Sequence, residues 1–119
     1  MARLTAETLH GIWAAVPLSW RRDFTLDDKS YAANIETLIR AGVHGIYTTG
    51  STGEFYALEF DEFRRMVDIQ ADLCGAAKMP LQIGCCADAT AKVCRMVRYA
   101  ADKPQVGAVQ VALPYWMEL

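Results

Sequence analysis

Four short apolar runs, each divided from the next by a stretch of helical period, constrain the fold of this chain more than any other feature. Residues 12–16 (IWAAV) read as a strand closed by Pro17. Residues 45–49 (GIYTT) are β-branched and aromatic, the composition strands favour. Residues 79–84 (MPLQIG) form a third strand, with Pro80 near its start, where a missing N–H is tolerated. Residues 106–113 (VGAVQVAL) form a fourth, broken by Pro114. The first intervening helix starts from a cap at Asp27 or Thr25 and ends near Ala41. Tyr31, Ile35, Leu38 and Ile39 share one face of it, and Gly42 is its stop. The second helix, over residues 60–73, presents Phe63, Met66, Val67 and Leu73. Gly75 stands beyond its end, and Glu59 occupies the position where Ser, Thr, Asp or Asn makes a better cap. The third, over residues 89–101, is expected to bury Ala91, Cys94, Val97 and Ala101. Alternation of this kind builds a parallel sheet with right-handed crossovers. The expected fold class is therefore α/β, a parallel β-α-β-α-β-α-β unit forming one domain over residues 1–119. No fourth helix follows the last strand, an odd place for a domain to stop.

Composition narrows the functional classes. Hydrophobic residues make up 53% of the chain and charged residues 22%, which describes a globular protein and not a disordered one. The net charge is −2, with 12 basic and 14 acidic residues and no basic block, so nucleic acid is not an expected partner. Cys74, Cys85, Cys86 and Cys94 show no C-x-x-C spacing, and His10 and His44 are the only histidines. Neither a metal nor another cofactor is expected from such a set. Reduced thiols suit a cytoplasmic protein. No apolar run reaches membrane length, and the first ten residues, with Arg3, Glu7 and His10 among them, do not read as a signal peptide.

Ligands of parallel α/β folds sit at the carboxyl ends of the strands. Four segments lie there: residues 17–20, 50–54, 84–88 and 113–116. The second, Gly50-Ser51-Thr52-Gly53-Glu54, suits an anion, because glycines let backbone N–H groups converge and Ser51 and Thr52 add hydroxyl donors. A plain tight connection fits the same composition equally well. No lysine follows the first glycine as a Walker loop requires, and G-x-G-x-x-G is absent. None of the four segments holds a histidine, so a serine–histidine triad is not available. Bland roles suit most other residues. Cys85 and Cys86 fill space, Trp13 and Tyr47 serve the core or an interface, Arg21 and Arg22 belong to a solvated loop, and His44 sits at the lower rim.

The Gly50–Glu54 motif after a strand, Leu58 four residues on, and Leu113-Pro114-Tyr115-Trp116 ending a later strand resemble the dihydrodipicolinate synthase / N-acetylneuraminate lyase family. Pro17 closing the first strand, and Gly84 ahead of a small-residue turn and Thr90, agree. The resemblance spans nearly all 119 residues but only the first half of such a protein. It implies a (β/α)₈ TIM barrel in which a lysine forms a Schiff base with a 2-keto acid, typically pyruvate. It further implies that Gly50, Ser51, Thr52 and Gly53 bind the substrate carboxylate, and that Tyr115 joins them. Trp116 matches a second aromatic that, in dihydrodipicolinate synthases, is a tyrosine relaying protons in a neighbouring subunit's site, so a homo-oligomer is implied. An indole cannot relay a phenolic proton, which argues against that activity in the strict sense. Val16 stands where the family often has threonine. Glu54 offers a catalytic acid, but the preferred role is a supporting one beside the pocket, its carboxylate accepting N–H groups of the following turn.

A Schiff-base lysine must sit desolvated at a strand's carboxyl end. Lys29 and Lys92 fall within helices, while Lys78 and Lys103 precede strands at the opposite end of the sheet. The expected function is thus part of a Schiff-base lyase, aldolase or dehydratase whose catalytic lysine lies outside this chain. The alternative is a non-catalytic half-barrel that keeps the carboxylate cradle and acts by pairing with another half. A small doubly wound regulatory domain is disfavoured, because no acidic cluster marks a phosphoacceptor pocket after the first strand.

Overall fold

The computed structural model describes residues 3–113; Pro114, Tyr115 and Trp116, and with them the aromatic pair, lie outside the described residues. Seven principal elements follow in order: β1 (Trp13–Ala15), α1 (Asp28–Ala41), β2 (Gly45–Thr48), α2 (Phe60–Ala77), β3 (Leu81–Gly84), α3 (Thr90–Ala101) and β4 (Ala108–Gln110). The strands form one sheet in the order β1-β2-β3-β4, every neighbouring pair parallel. The expected α/β alternation is the one observed. The strands are shorter than the apolar runs. Ile12 and Val16 flank β1, Pro80 precedes β3, and residues 111–113 leave the ladder after β4.

Each helix is set by local chemistry. Asp27 caps α1, its carboxylate accepting the Ser30 N–H at 3.0 Å, and Gly42 closes the helix at φ 74°. At α2 the poor-looking cap is completed from inside the helix, where Glu62 accepts the Glu59 N–H at 2.9 Å, one arm of a capping box. The helix does not end before Gly75. It runs through it to Ala77, and Lys78 takes the left-handed closing position at φ 54°. In α3 the buried face is also not the expected one. Ala91 and Cys94 are exposed, whereas Met96 and Ala100 are buried with Val93 and Val97 beside them. Positions 93, 96, 97 and 100 hold the same helical spacing with larger side chains, so rotating to that face removes more apolar area from water.

Strand alternation divides the sheet into two faces. Ile46, Leu81 and Ile83 are fully buried and join Ile35, Phe63, Met66, Val67 and Cys74 in the core beneath the helices. One polar chain crosses this core. The Thr48 hydroxyl donates to Gln70 Oε1 at 2.7 Å, and Gln70 Nε2 donates to the Tyr31 phenol, tying β2 to α2 and α1. Burial pushes the Tyr31 phenol far up, so it stays neutral and can serve as an acceptor. Replacing Gln70 by leucine orphans two buried hydroxyls at once. The expected loss is about 2–6 kcal/mol, at 1–3 kcal/mol per orphaned group, read as a lowered denaturant midpoint in the complete protein. An unchanged midpoint would show the chain of hydrogen bonds to be dispensable.

The opposite face carries Trp13, Ala15, Tyr47, Gln82 and Ala108, each only half-buried. No described helix covers it.

Candidate active site

β2 leads directly into the turn over residues 49–54. Thr49 is fully buried and lies in the left-handed region at φ 59°, which a β-branched residue adopts only when held there. Its hydroxyl lies 2.7 Å from the Thr48 carbonyl and also reaches the Gly84 carbonyl on β3. Gly84 permits this approach, because a Cβ there would meet the Thr49 and Thr48 carbonyl oxygens at 2.5 and 2.7 Å. Gly53 is needed for a similar reason, since its Cβ would lie 2.6 Å from the Thr49 nitrogen. The turn then closes on itself. The Glu54 N–H donates to the Ser51 carbonyl at 3.1 Å and the Phe55 N–H to the Gly50 carbonyl at 3.4 Å.

That closure leaves a set of donors. Among the described residues the N–H groups of Ser51, Thr52 and Gly53 have no acceptor, and neither hydroxyl of Ser51 or Thr52 has a partner. Both hydroxyl residues are exposed, while Gly50 and Gly53 are buried beneath them. Consecutive free N–H groups in a tight turn make a concavity for an anion.

A cleft of about 100 Å³ lies against this turn, lined by Tyr47, Gly50, Ser51, Phe55, Cys86, Ala87, Gln110, Ala112 and Leu113. Thus β2, β3 and β4 all contribute to it from their carboxyl ends. Of these nine residues the sequence reading gives a site role only to Gly50 and Ser51. Tyr47, expected in the core or at an interface, lies on the face opposite Thr48, as period-two alternation on β2 requires. Its phenol sits so close to Gly50 that a Cβ there would fall 1.9 Å from the hydroxyl oxygen. Burial, and then the neighbouring Cys86, push this phenol up. Gln110 enters only through the sheet register, which sequence alone does not reveal, whereas Cys86 belongs to the segment after β3 that the sequence reading places at the carboxyl ends. Cys85, one residue earlier, is fully buried, and desolvation raises its thiol to about 12, which fits an inert filler.

Glu54 departs from the expectation for its carboxylate. It accepts no N–H of the following turn; instead Oε2 accepts the indole N–H of Trp20 at 3.2 Å, while Glu54 itself holds φ 54°. His44 is not idle either. Its Nδ1 accepts the Ile12 N–H at 2.8 Å and so latches the entry to β1. A larger groove of about 430 Å³ opens between the start of α2 and α3, sharing Phe55, Cys86 and Ala87 with the cleft but not Ser51. Of the residues with free donors, Ser51 lines the smaller cleft, and Thr52 and Gly53 line neither.

No lysine enters the cleft. Lys29 lies in the first turn of α1 and Lys78 closes α2. Lys92 pairs with Asp88 at 2.8 Å and Lys103 with Asp68 at 2.5 Å. No group of His, Cys, Asp and Glu side chains among the described residues could hold a metal ion.

Residues 8–119 match the family model for the dihydrodipicolinate synthetase family. The chain belongs to that family. A trans-O-hydroxybenzylidenepyruvate hydratase-aldolase of Pseudomonas aeruginosa is 32% identical over 125 residues, covering 99% of this chain and 37% of that protein. A 4-hydroxy-tetrahydrodipicolinate synthase of Acidobacterium capsulatum is 32% identical over 108 residues, covering 91% and 35%. Among solved structures, the E. coli K12 prophage protein YagE, a family member in complex with pyruvate, superposes with a TM-score of 0.82 at 27% identity, covering 93% of this chain and 37% of that one. An N-acetylneuraminate lyase of Fusobacterium nucleatum shares the fold, with a TM-score of 0.84 at 20% identity over 95% and 38%. The chain therefore spans little more than a third of the length of these relatives. Its four strands and three helices correspond to the first half of a TIM barrel. Among the described residues no helix is long and apolar enough to cross a membrane.

Proposed function

We propose that this chain supplies the first half of a Schiff-base lyase or aldolase barrel, in which the turn of Ser51 and Thr52 holds the carboxylate of pyruvate or a related 2-keto acid. The observation that carries the reading is the row of free N–H groups from Ser51 to Gly53, with two free hydroxyls, at the carboxyl end of β2. Family membership supports it, and so does the pyruvate bound in YagE. Gly50 and Gly53 shape the cradle; Tyr115 and Trp116 lie outside the described residues, and the family resemblance alone gives them a substrate-binding and a pocket role. The imine-forming lysine comes from outside residues 1–119. No cofactor is required, because the imine itself is the electron sink. Such a barrel works as a homo-oligomer in the cytoplasm.

The test uses borohydride trapping with pyruvate, followed by intact mass. The 119-residue chain alone is expected to give no adduct, and a complete barrel carrying it is expected to give one per chain. In that barrel, S51A/T52A should weaken pyruvate by at least about tenfold, since a hydrogen bond to a charged group contributes about 1.5–3 kcal/mol. Unchanged half-saturation in the double variant, with circular dichroism intact, would remove the carboxylate assignment. A stoichiometric adduct on the short chain would remove the claim that the nucleophile lies elsewhere.

A further inference from the structure

The loop between β1 and α1 is more ordered than its length requires. Trp20 and Leu26 pair as an antiparallel bridge, and Arg21 N–H donates to the Thr25 carbonyl at 2.8 Å. Asp23 accepts both the N–H and the hydroxyl of Thr25, at 3.1 and 2.7 Å. The Arg21 guanidinium reaches the Leu26 carbonyl at 2.5 Å, and the Asp27 N–H returns to the Ser19 carbonyl at 2.8 Å. Leu18 and Leu26 anchor this small hairpin in the core at 7% and 4% exposure. The indole of Trp20 is therefore presented by a rigid support, and its N–H ends on Glu54 Oε2 at 3.2 Å.

Glu54 is the last residue of the donor turn, and it is strained. A non-glycine residue at φ 54° costs free energy and persists only where its surroundings fix it. Its N–H closes the turn onto the Ser51 carbonyl. Glu54 also directly follows Gly53, the last of the three free donors. Without the Trp20 anchor its strained backbone is no longer fixed, and the closure that orders the donors of residues 51–53 loosens.

We propose that Trp20 is a positioning residue for the carboxylate cradle, its indole N–H holding the Glu54 side chain so that the N–H groups of Ser51 to Gly53 stay convergent and free. This inference rests on the cradle reading above. Trp20 touches no reacting atom; it acts through Glu54. The β1–α1 hairpin thereby becomes part of the binding apparatus.

The experiment measures pyruvate half-saturation and saturated rate of imine trapping in the complete barrel. Trp20→Phe keeps the aromatic ring and removes only the donor. It should raise half-saturating pyruvate by about five- to tenfold while changing the saturated rate by less than about twofold. Glu54→Ala should do the same, and W20F/E54A should be no worse than either single variant, because the two residues act as one unit. Glu54→Gln keeps an acceptor oxygen and should fall closer to the parent than Glu54→Ala. A Trp20→Phe barrel with parental half-saturation, or additive effects in the double variant, would overturn the proposal. A drop in rate with half-saturation unchanged would also overturn it, since a purely structural defect gives that pattern. S51A/T52A separates the two layers. If that variant binds pyruvate normally, the cradle itself is wrong; if it binds weakly while Trp20→Phe does not, only the role of Trp20 fails.

Discussion

Replacing Gly84 by alanine is expected to destabilise the complete barrel by about 3 kcal/mol or more, the upper range for overpacking a filled site. The new methyl would meet three backbone atoms, the Thr49 and Thr48 carbonyl oxygens and the Thr49 carbonyl carbon, at 2.5–2.7 Å. None is the free end of a flexible side chain, so β2 and β3 must separate at the point where they carry the donor turn. Thr49 would then lose the Gly84 carbonyl that its hydroxyl reaches, and with it a restraint on its left-handed backbone. The melting temperature should fall by roughly 5–10 °C in a barrel of this family's size, and pyruvate should bind more weakly in whatever fraction remains folded. Gly75→Ala is the matched control. Its Cβ would press on Gln105 Cγ at 2.7 Å, but that contact is a flexible side chain able to swing aside. Alanine inside α2 also gains about 1 kcal/mol of helix propensity over glycine. Gly75→Ala is therefore expected to leave the melting temperature unchanged or to raise it. Equal melting temperatures for Gly84→Ala and the parent would mean that the strand ends relax freely and do not hold the turn.

These two glycines show what sequence could and could not reveal. Gly42 and Gly75 look alike as helix stops, yet only Gly42 takes the left-handed closing conformation. Gly75 lies inside α2, one turn short of Lys78, which takes the left-handed closing position instead. The element order, the caps at Asp27 and Gly42, and the donor turn after β2 were legible because each is a local pattern of chemistry. The face of α3 was not. Alanine and cysteine count as apolar in a periodicity, but Met96 offers more area to bury, and the helix turns toward it. Tyr47 was readable in part, since alternation fixes its face, but what shares that face depends on the register that brings Gln110 beside Gly84. The Trp20–Glu54 hydrogen bond joins residues 34 apart, and no spacing rule anticipates it.

The 119-residue chain by itself is expected not to persist as a compact, cooperative monomer. The helices lie together on one side of the sheet, α1 against α2 and α2 against α3, so the other face of Trp13, Ala15, Tyr47, Gln82 and Ala108 has no described cover. An all-parallel sheet is stable when both faces are covered. β1 and β4 are also edges, and unpaired edge strands template association. Not every apolar side chain near those edges adds to the liability. Val16 and Val106 are buried at 0% and 1%, whereas Ile12, Val111 and Leu113 are 69%, 55% and 70% exposed. A net charge of −2 offers little repulsion to keep chains apart. The open face and the exposed rim should therefore find each other in a second copy. Sedimentation at tens of micromolar is expected to show dimers or larger species, and a fluorescent probe of apolar surface should bind. If the chain stays strictly monomeric and melts in one sharp, reversible transition, the half-barrel is a self-sufficient domain. That result would move the balance toward a non-catalytic binding module, because a fold needing no second half has no structural reason to be completed by one.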